Sequence, residues 1–395
     1  MAYEWSTEDV FFLLGLKYNP YKTENFIKCP KCDSSRLSFN VIKGTGHCFA
    51  CHEGYDSASL YAAYKDMPVK EARFQIKKEL GIDRNDYKPV VSSRPPVINE
   101  ETPLAAPEVR DKTLRAFLQL LPLLEEHKTE LLARGFTEAE ISANGYASMP
   151  DELTPEENEK ICAKLIADGF TLDGVPPFYV DKKSGKYRFV KSTCGILLPQ
   201  VDTHNLWVGI CNRKEDGKRR VINDEGELEA KCCWLSSKNF NRGTGAKTSV
   251  HCAIDFIYDN TEKRYIPALP PNGKVILTEG SMKGDLASQL LSEVKEAVVP
   301  VISVPGVNAL NALPATLNEL IKYGLKEVMI AYDMDYLTNP NVKEALNKLT
   351  SILKETGVKI TTCMKWDTNI PDHPDKKLKG IDDYLAFKLK GIIPR

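Results

Sequence analysis

Two cysteine pairs near the N-terminus, a proline-rich break and a regular strand–helix alternation from Lys274 onward predict a multidomain α+β chain. Its parts are an N-terminal zinc ribbon (1–86), a linker (87–109), a mixed α/β basic middle (110–272) and a C-terminal α/β domain (273–395). The last has a small parallel sheet flanked by helices.

The ribbon rests on "CPKC", Cys29 and Cys32, and "CFAC", Cys48 and Cys51, with fifteen residues between the pairs. Two such knuckles bring four thiolates around one tetrahedral Zn²⁺, and four protein ligands leave no open position, so the predicted role is structural. His47 and His52 flank the second pair as bystanders or substitute ligands. The other seven of the eleven cysteines lie mostly in apolar runs and read as reduced core residues.

The linker "YKPVVSSRPPVINEETPLAAPEV" holds five prolines and no periodicity. Beyond it, Thr113 to Phe170 reads as mostly helical, and "GILLPQV", "LWVGICNR" and "KCCWLSS" read as strands. A net charge of −1 conceals a segregation. Residues 100–159 hold 14 acids against 5 Lys or Arg, and residues 182–247 hold 14 Lys or Arg against 7 acids. The basic block interleaves Tyr187, Phe189, Trp207, Trp234 and Phe240, which suits a single-stranded polyanion with bases to stack. A solvated β surface over an ordinary aromatic core has the same pattern. "NRGTGAKTS", Asn241 to Ser249, lacks both P-loop glycines. Its cations Arg242 and Lys247, with nearby Lys238, are candidate phosphate contacts, against the alternative of a plain loop. No apolar run reaches membrane-spanning length and the N-terminus carries acids where a signal peptide carries lysines, so a cytoplasmic protein without a membrane span is expected.

From "KVILTEGSMKGD" the alternation places Glu279 at the carboxyl end of one predicted strand, and "DMD" places Asp333 and Asp335 at the end of another. Parallel strands bring these ends to one edge. Three converging carboxylates repel unless a cation neutralises them, and hard oxygen ligands select Mg²⁺ or Mn²⁺. The competing reading is that each acid caps a helix or turn.

Glu279-Gly280, Asp333-x-Asp335 and the late "KGIDDYL", Lys379 to Leu385, together resemble the TOPRIM domain of primases, topoisomerases and some nucleases. "CFACHEGYD" resembles the zinc-binding domain of bacterial DnaG-type primases. "GILLPQVDTHNLWVGICNR" with "KCCWLSS" is similar to the basic half of their polymerase core, where Arg213 and Lys231 are the matching cations. Primase-like proteins of plasmids and phages are similar in "TEGSMKGD", "VPGV", "AYDMD" and "KGIDDYL". The chain departs from that pattern in "YLTNPN", which stands where a small Ala-Gly pair is usual, and either Asp382 or Asp383 matches the late acid.

The resemblance implies a DNA primase making short RNA primers on single-stranded DNA from NTPs by nucleotidyl transfer, for a plasmid or phage, alongside a separate replicative helicase. It implies one structural zinc and two or more catalytic Mg²⁺ or Mn²⁺ ions held by Asp333, Asp335 and Asp382 or Asp383. Glu279 is then general base or further ligand, and Lys283 and Asp285 orient the site. A TOPRIM nuclease acting on DNA, or a non-catalytic single-strand-binding replication factor, are the alternatives.

Overall fold

The computed structural model describes residues 4–20, 22–82, 102–221, 228–295, 299–334, 340–361 and 364–394. The chain forms two compact units, residues 1–99 and 100–395. Most of the proline-rich linker, and Asp335, lie outside the described residues.

In the first unit the helix Thr7–Leu13 begins at Ser6, whose side chain and that of Asp9 cap each other's backbone. A four-stranded antiparallel meander follows in chain order: Glu24–Ile27, Leu37–Asn40, Thr45–Cys48 and Gly54–Asp56. One face packs Phe11, Leu37, Phe39 and Leu60 into a core. Helices Ser57–Tyr64 and Val69–Leu80 build a second cluster around Tyr61 and Ile76. Gly46 is required where it stands, because a Cβ there would lie 2.3 Å from the Phe39 ring.

The second unit contains two larger sheets. The antiparallel one has the order Cys232–Trp234, Trp207–Lys214, Gly195–Val201, Ala147–Met149. Its last strand falls in the stretch expected to be mostly helical, since three residues are too short to impose a period of their own. The other sheet has the order His251–Ala253, Val301–Val304, Lys274–Glu279, Glu327–Ile330, Lys359–Thr361. Every pairing in it is parallel except the edge strand His251–Ala253. Helices cover both faces, so Val275 to Thr278 are all buried and the strand reads as a continuous apolar run. On one face Leu313, Leu317, Leu349 and Leu353 pack on Leu277 and Val328. On the other, Leu286, Leu290, Ile381 and Leu385 join Leu131, Ile196 and Leu198, which ties the antiparallel sheet to the parallel one.

The helix Ser281–Lys295 approaches its neighbouring strand closely at Gly284, where a Cβ would sit 2.0 Å from the Ser303 hydroxyl but 3.4 Å from the next atom. That hydroxyl is buried without a hydrogen-bond partner. Gly284→Ala should therefore destabilise by about 1–3 kcal/mol through overpacking. Adding Ser303→Ala should restore the melting temperature to at least the wild-type value, because alanine is favoured over glycine in a helix by about 1 kcal/mol. Thermal melts of the two single variants and the double variant check this.

Candidate functional site

The two knuckles are built alike. Asp33 N–H donates to the Cys29 carbonyl at 2.9 Å and His52 N–H to the Cys48 carbonyl at 2.8 Å. Each of these residues takes a positive φ, 62° and 60°, so His52 turns the chain. The thiols of Cys29, Cys32, Cys48 and Cys51 form one cluster, with Cys29 Sγ 3.6 Å from Cys51 Sγ and Cys32 Sγ 3.6 Å from Cys48 Sγ. A tetrahedron with Zn–S bonds of about 2.3 Å has edges of about 3.8 Å, so the cluster fits a structural zinc.

The acids of the second unit meet at the carboxyl edge of the parallel sheet. Glu279 ends its strand, paired with Val304, and Asp333 lies just beyond the adjacent strand, paired through Leu277 and Ile330. Lys283, one turn into the following helix, reaches back between them. Its Nζ lies 2.6 Å from each Asp333 oxygen and 3.3 Å from Glu279 Oε1. Convergence of these two acids therefore does not require a bound metal, because Lys283 supplies one positive charge between them and burial lets Glu279 keep its proton up to about pH 7.

Met334 N–H donates to the Lys379 carbonyl at 3.0 Å, which brings "KGIDDYL" beside Asp333. The two late aspartates then take different parts. Asp383 Oδ2 accepts from Gly380 N–H at 3.3 Å and caps the helix Ile381–Lys390. Asp382 is 2% exposed, its Oδ2 lies 3.7 Å from the Arg134 guanidinium, and its Oδ1 has no hydrogen-bond partner. A Cβ on Gly380 would lie 2.3 Å from that Oδ1 and 3.2 Å from Asp333 Oδ1, so glycine keeps open the small space the two oxygens share. A buried orphan carboxylate oxygen beside Asp333 offers a pair of hard oxygens of the kind Mg²⁺ or Mn²⁺ takes, although Glu279, Asp333 and Asp382 do not all lie within 4.8 Å of one another.

Asp333, Asp382 and Asp383 line a cleft of about 760 Å³ with Arg213, Lys231, Lys283, Lys376, Lys377 and Lys379 on its walls, whereas Glu279 is not part of that lining. Arg213 is paired with Glu130 at 2.8 Å and Lys231 with Asp216 at 2.5 Å. An adjoining pocket of about 250 Å³ adds Leu198, Trp234, Met282 and Pro305. Glu130 and Arg134 escaped the sequence reading, having no motif of their own within a helical stretch. The lysines of "KKLKG" were legible as a cluster beside the quoted motif.

Other expected site residues lie elsewhere. Lys238, Arg242 and Lys247 do not line the cleft. Arg242 takes a positive φ of 52° in a turn and pairs with Asp173 at 2.7 Å. In the same turn Gly243 packs so tightly that a Cβ would meet the Ser237 carbonyl at 1.8 Å, which gives "NRGTGAKTS" a packing role. Asp285 faces away from the acids, accepting from Tyr146 Oη at 2.6 Å and bonded to His251 Nε2 at 2.8 Å. Phe189 and Trp207 are core residues. Trp234 reaches the pocket beside the cleft.

The segment 270–390 matches the model of a domain of unknown function, DUF3854. No curated protein sequence matches the chain. Among solved structures, the zinc-binding and RNA polymerase domains of Aquifex aeolicus primase align over 98% of this chain and 82% of that one, at 17% identity and a TM-score of 0.43. The RNA polymerase domain of Mycobacterium tuberculosis primase DnaG aligns over 72% and 82%, at 16% identity and a TM-score of 0.42. The E. coli primase catalytic core aligns over 72% and 77%, at 13% identity and a TM-score of 0.39. No helix among the described residues is long and apolar enough to cross a membrane.

Burial pushes the Glu279 carboxyl up to about 7, with Lys283 opposing and Asp333 reinforcing the shift. Burial and Asp382 push Asp383 up to about 6. Burial works against the Lys283 ammonium, but Asp333, Glu279 and Asp382 outweigh it and hold it above the usual lysine range. Unfolded, the two carboxyls titrate near 4, so the folded chain binds more protons from about pH 4 to 7 and its stability falls as pH rises through that window. With divalent cations chelated, Glu279→Gln should abolish the part of this fall between about pH 6 and 7, read as the wild-type minus mutant urea midpoint. An unchanged difference across that interval would place the proton on another group.

Proposed function

We propose that this protein is a DnaG-type primase or primase-like nucleotidyltransferase, synthesising short RNA primers on single-stranded DNA, of the kind carried by plasmids and phages. The supporting observation is the cleft at the sheet edge, where Asp333 and the buried orphan oxygen of Asp382 share a lining with Arg213, Lys231, Lys283, Lys376, Lys377 and Lys379. A two-signed cleft of this kind suits a substrate made of phosphates and a divalent cation.

On this reading Asp333, Asp335 and Asp382 hold Mg²⁺ or Mn²⁺, with Asp383 closing the helix behind them and Glu279 as a further ligand or as general base. A bound divalent ion there supplies positive charge to the attacking and leaving oxygens of phosphoryl transfer. Glu279, poised near neutrality, is suited to accept the proton of a primer 3′-hydroxyl. Lys283 keeps the acid pair together and offers its ammonium to the incoming triphosphate. Arg213 and Lys231 bind template or nucleotide phosphates, and the apolar pocket beside them admits the base. In the zinc unit, Phe26, Ser38 and His47 occupy one register row of the meander. Phe26 is 63% exposed, and Phe49, 57% exposed, meets His47 edge to face. Exposed rings in a row suit stacking against unpaired bases. A separate helicase remains the expected replication partner.

The deciding experiment incubates the full chain with single-stranded DNA, labelled NTPs and Mg²⁺ and looks for short RNA products. Asp333→Asn and Glu279→Gln should each reduce synthesis by orders of magnitude, at about tenfold per 1.4 kcal/mol of lost stabilisation, while retaining fold and template binding. Cleavage of DNA without nucleotides would make the protein a nuclease. Binding without either reaction, unaffected by both substitutions, would make it a binding factor.

Template binding has its own readout in salt. Lys231→Ala should lower the log–log salt slope by roughly 0.7, the value for one single-strand phosphate contact. Both cations have an acid partner, but Arg213→Ala should lower it by less, since the Arg213 side chain is only 10% exposed against Glu130 whereas Lys231, 42% exposed, can leave Asp216 for a phosphate. Titrations of a labelled oligonucleotide at several salt concentrations measure both, and equal slopes for wild type and Lys231→Ala would remove Lys231 from the interface.

A further inference from the structure

His127, Cys194 and Glu215 come together from three separate segments, their ligand-capable atoms all within 4.8 Å of one another. His127 lies on the helix Glu125–Arg134, Cys194 just before the strand Gly195–Val201, and Glu215 just after the strand Trp207–Lys214. The two strand ends are joined, Glu215 N–H donating to the Cys194 carbonyl at 3.0 Å. His127 is 2% and Cys194 1% exposed.

The imidazole is half satisfied. Its Nδ1 lies 2.7 Å from the buried Ser148 hydroxyl, while its Nε2 is buried with no hydrogen-bond partner and points toward Glu215 Oε2, 4.0 Å away. That separation is too long for a hydrogen bond and leaves a gap between a nitrogen, a thiol and a carboxylate. Buried polar atoms without partners are rare enough to ask for an occupant. Metal-bound histidines typically use their second nitrogen on a neighbouring hydroxyl, carbonyl or carboxylate, as Nδ1 does here on Ser148.

We propose that His127 Nε2, Cys194 Sγ and Glu215 form a second zinc site, distinct from the four-cysteine cluster. One thiolate, one imidazole and one carboxylate are a borderline-soft set that suits Zn²⁺ and not Mg²⁺. Cys194 gives up its thiol proton on binding, and water completes the tetrahedron. Bonds of about 2.0–2.3 Å require the three atoms to close inward by about 1 Å. Lys218 now lies 3.1 Å from Glu215 Oε2 and 2.9 Å from Asp151, so it keeps a partner when the carboxylate turns to the metal. The ion clamps the helix Glu125–Arg134 to the ends of two strands. Glu130 and Arg134 follow His127 at i+3 and i+7 on the same helix, so the clamp also sets the helix that carries the partners of Arg213 and Asp382.

Full-length protein is equilibrated with Zn²⁺ in the presence of excess Mg²⁺, which keeps zinc off the cleft acids, then desalted and analysed for metal. Two zinc ions per chain are expected, falling to one in Cys194→Ser, His127→Gln and, from the other site, Cys48→Ser. Cobalt substitution should give a wild-type minus Cys194→Ser spectrum with a single-thiolate charge-transfer band, weaker than that of the four-thiolate cluster. One zinc in the wild type, or two retained in folded Cys194→Ser, overturns the site. Should Cys194→Ser fail to fold, Glu215→Gln at the half-exposed rim decides, because its second zinc must be lost to a chelator at least tenfold faster than in wild type. Equal loss rates overturn the site as well.

Discussion

The geometry at the sheet edge depends on the ammonium of Lys283. Parallel strands end side by side, so Glu279 and Asp333 are forced together by the ladder itself. Their side chains are only about a fifth exposed, 21% and 18%, where two carboxylates without a counter-charge would protonate or push apart. Lys283 meets both from the first turn of the intervening helix, with Asp333 held at 2.6 Å. One side chain thereby pins two strand ends and a helix start. The third acid, Asp382, adds to the field on Lys283 without a hydrogen bond to it, and one of its oxygens has no partner among the described residues.

A second constraint is the pairing of the acidic and basic blocks. Glu130 meets Arg213 at 2.8 Å, Glu159 meets Arg188 at 2.6 Å and Lys186 at 3.1 Å, and Asp151 meets Lys218 at 2.9 Å. Each pair is modest in energy where it is exposed, but together they pair four of the fourteen cations of the basic block with acids of the preceding segment. The cations left for a polyanion are therefore fewer than the linear charge pattern implies. Lys376, Lys377 and Lys379 on the cleft wall come from a segment far from the basic block. Clustering in sequence located a region of charge, and folding decided which charges face out.

The sequence made the mixed α/β organisation legible where its signals were periodic or chemically specific. The Cys29/Cys32 and Cys48/Cys51 spacing implied one cluster, and the alternation after Lys274 implied strand ends carrying Glu279 and Asp333. Short elements had no comparable signal: Ala147–Met149 and His251–Ala253 are three residues each and owe their place to neighbouring strands. Asp285 looked like a site residue because it closes "TEGSMKGD", the stretch at the helix start that carries the resemblance. Two positions beyond Lys283 on a helix, a side chain turns to another face, and Asp285 is buried with Tyr146 and His251. The two candidates in "KGIDDYL" could not be separated by sequence, since both fall in the first helical turn. Both line the cleft, but Asp383 caps the helix while one oxygen of Asp382 has no hydrogen-bond partner among the described residues.

The helix Glu125–Arg134 connects these constraints. Its His127 end is buried against Ser148 of the antiparallel sheet, and its Arg134 end meets Asp382 of the last helix. Between them Glu130 joins Arg213 and Arg134 into one charged group, with contacts of 2.8 and 3.3 Å. A helix of ten residues is about 15 Å long, so one element carries both of these ends. Its placement against the strand ends at Cys194 and Glu215 therefore sets the position of the guanidiniums at the cleft. Helix, antiparallel sheet and acidic edge share the apolar cluster of Leu131, Ile196, Leu198, Leu286 and Ile381, so packing and charge hold the same three elements in register. The cleft is thus bounded by both halves of the second unit, and neither the basic strands nor the acidic sheet edge would form it alone.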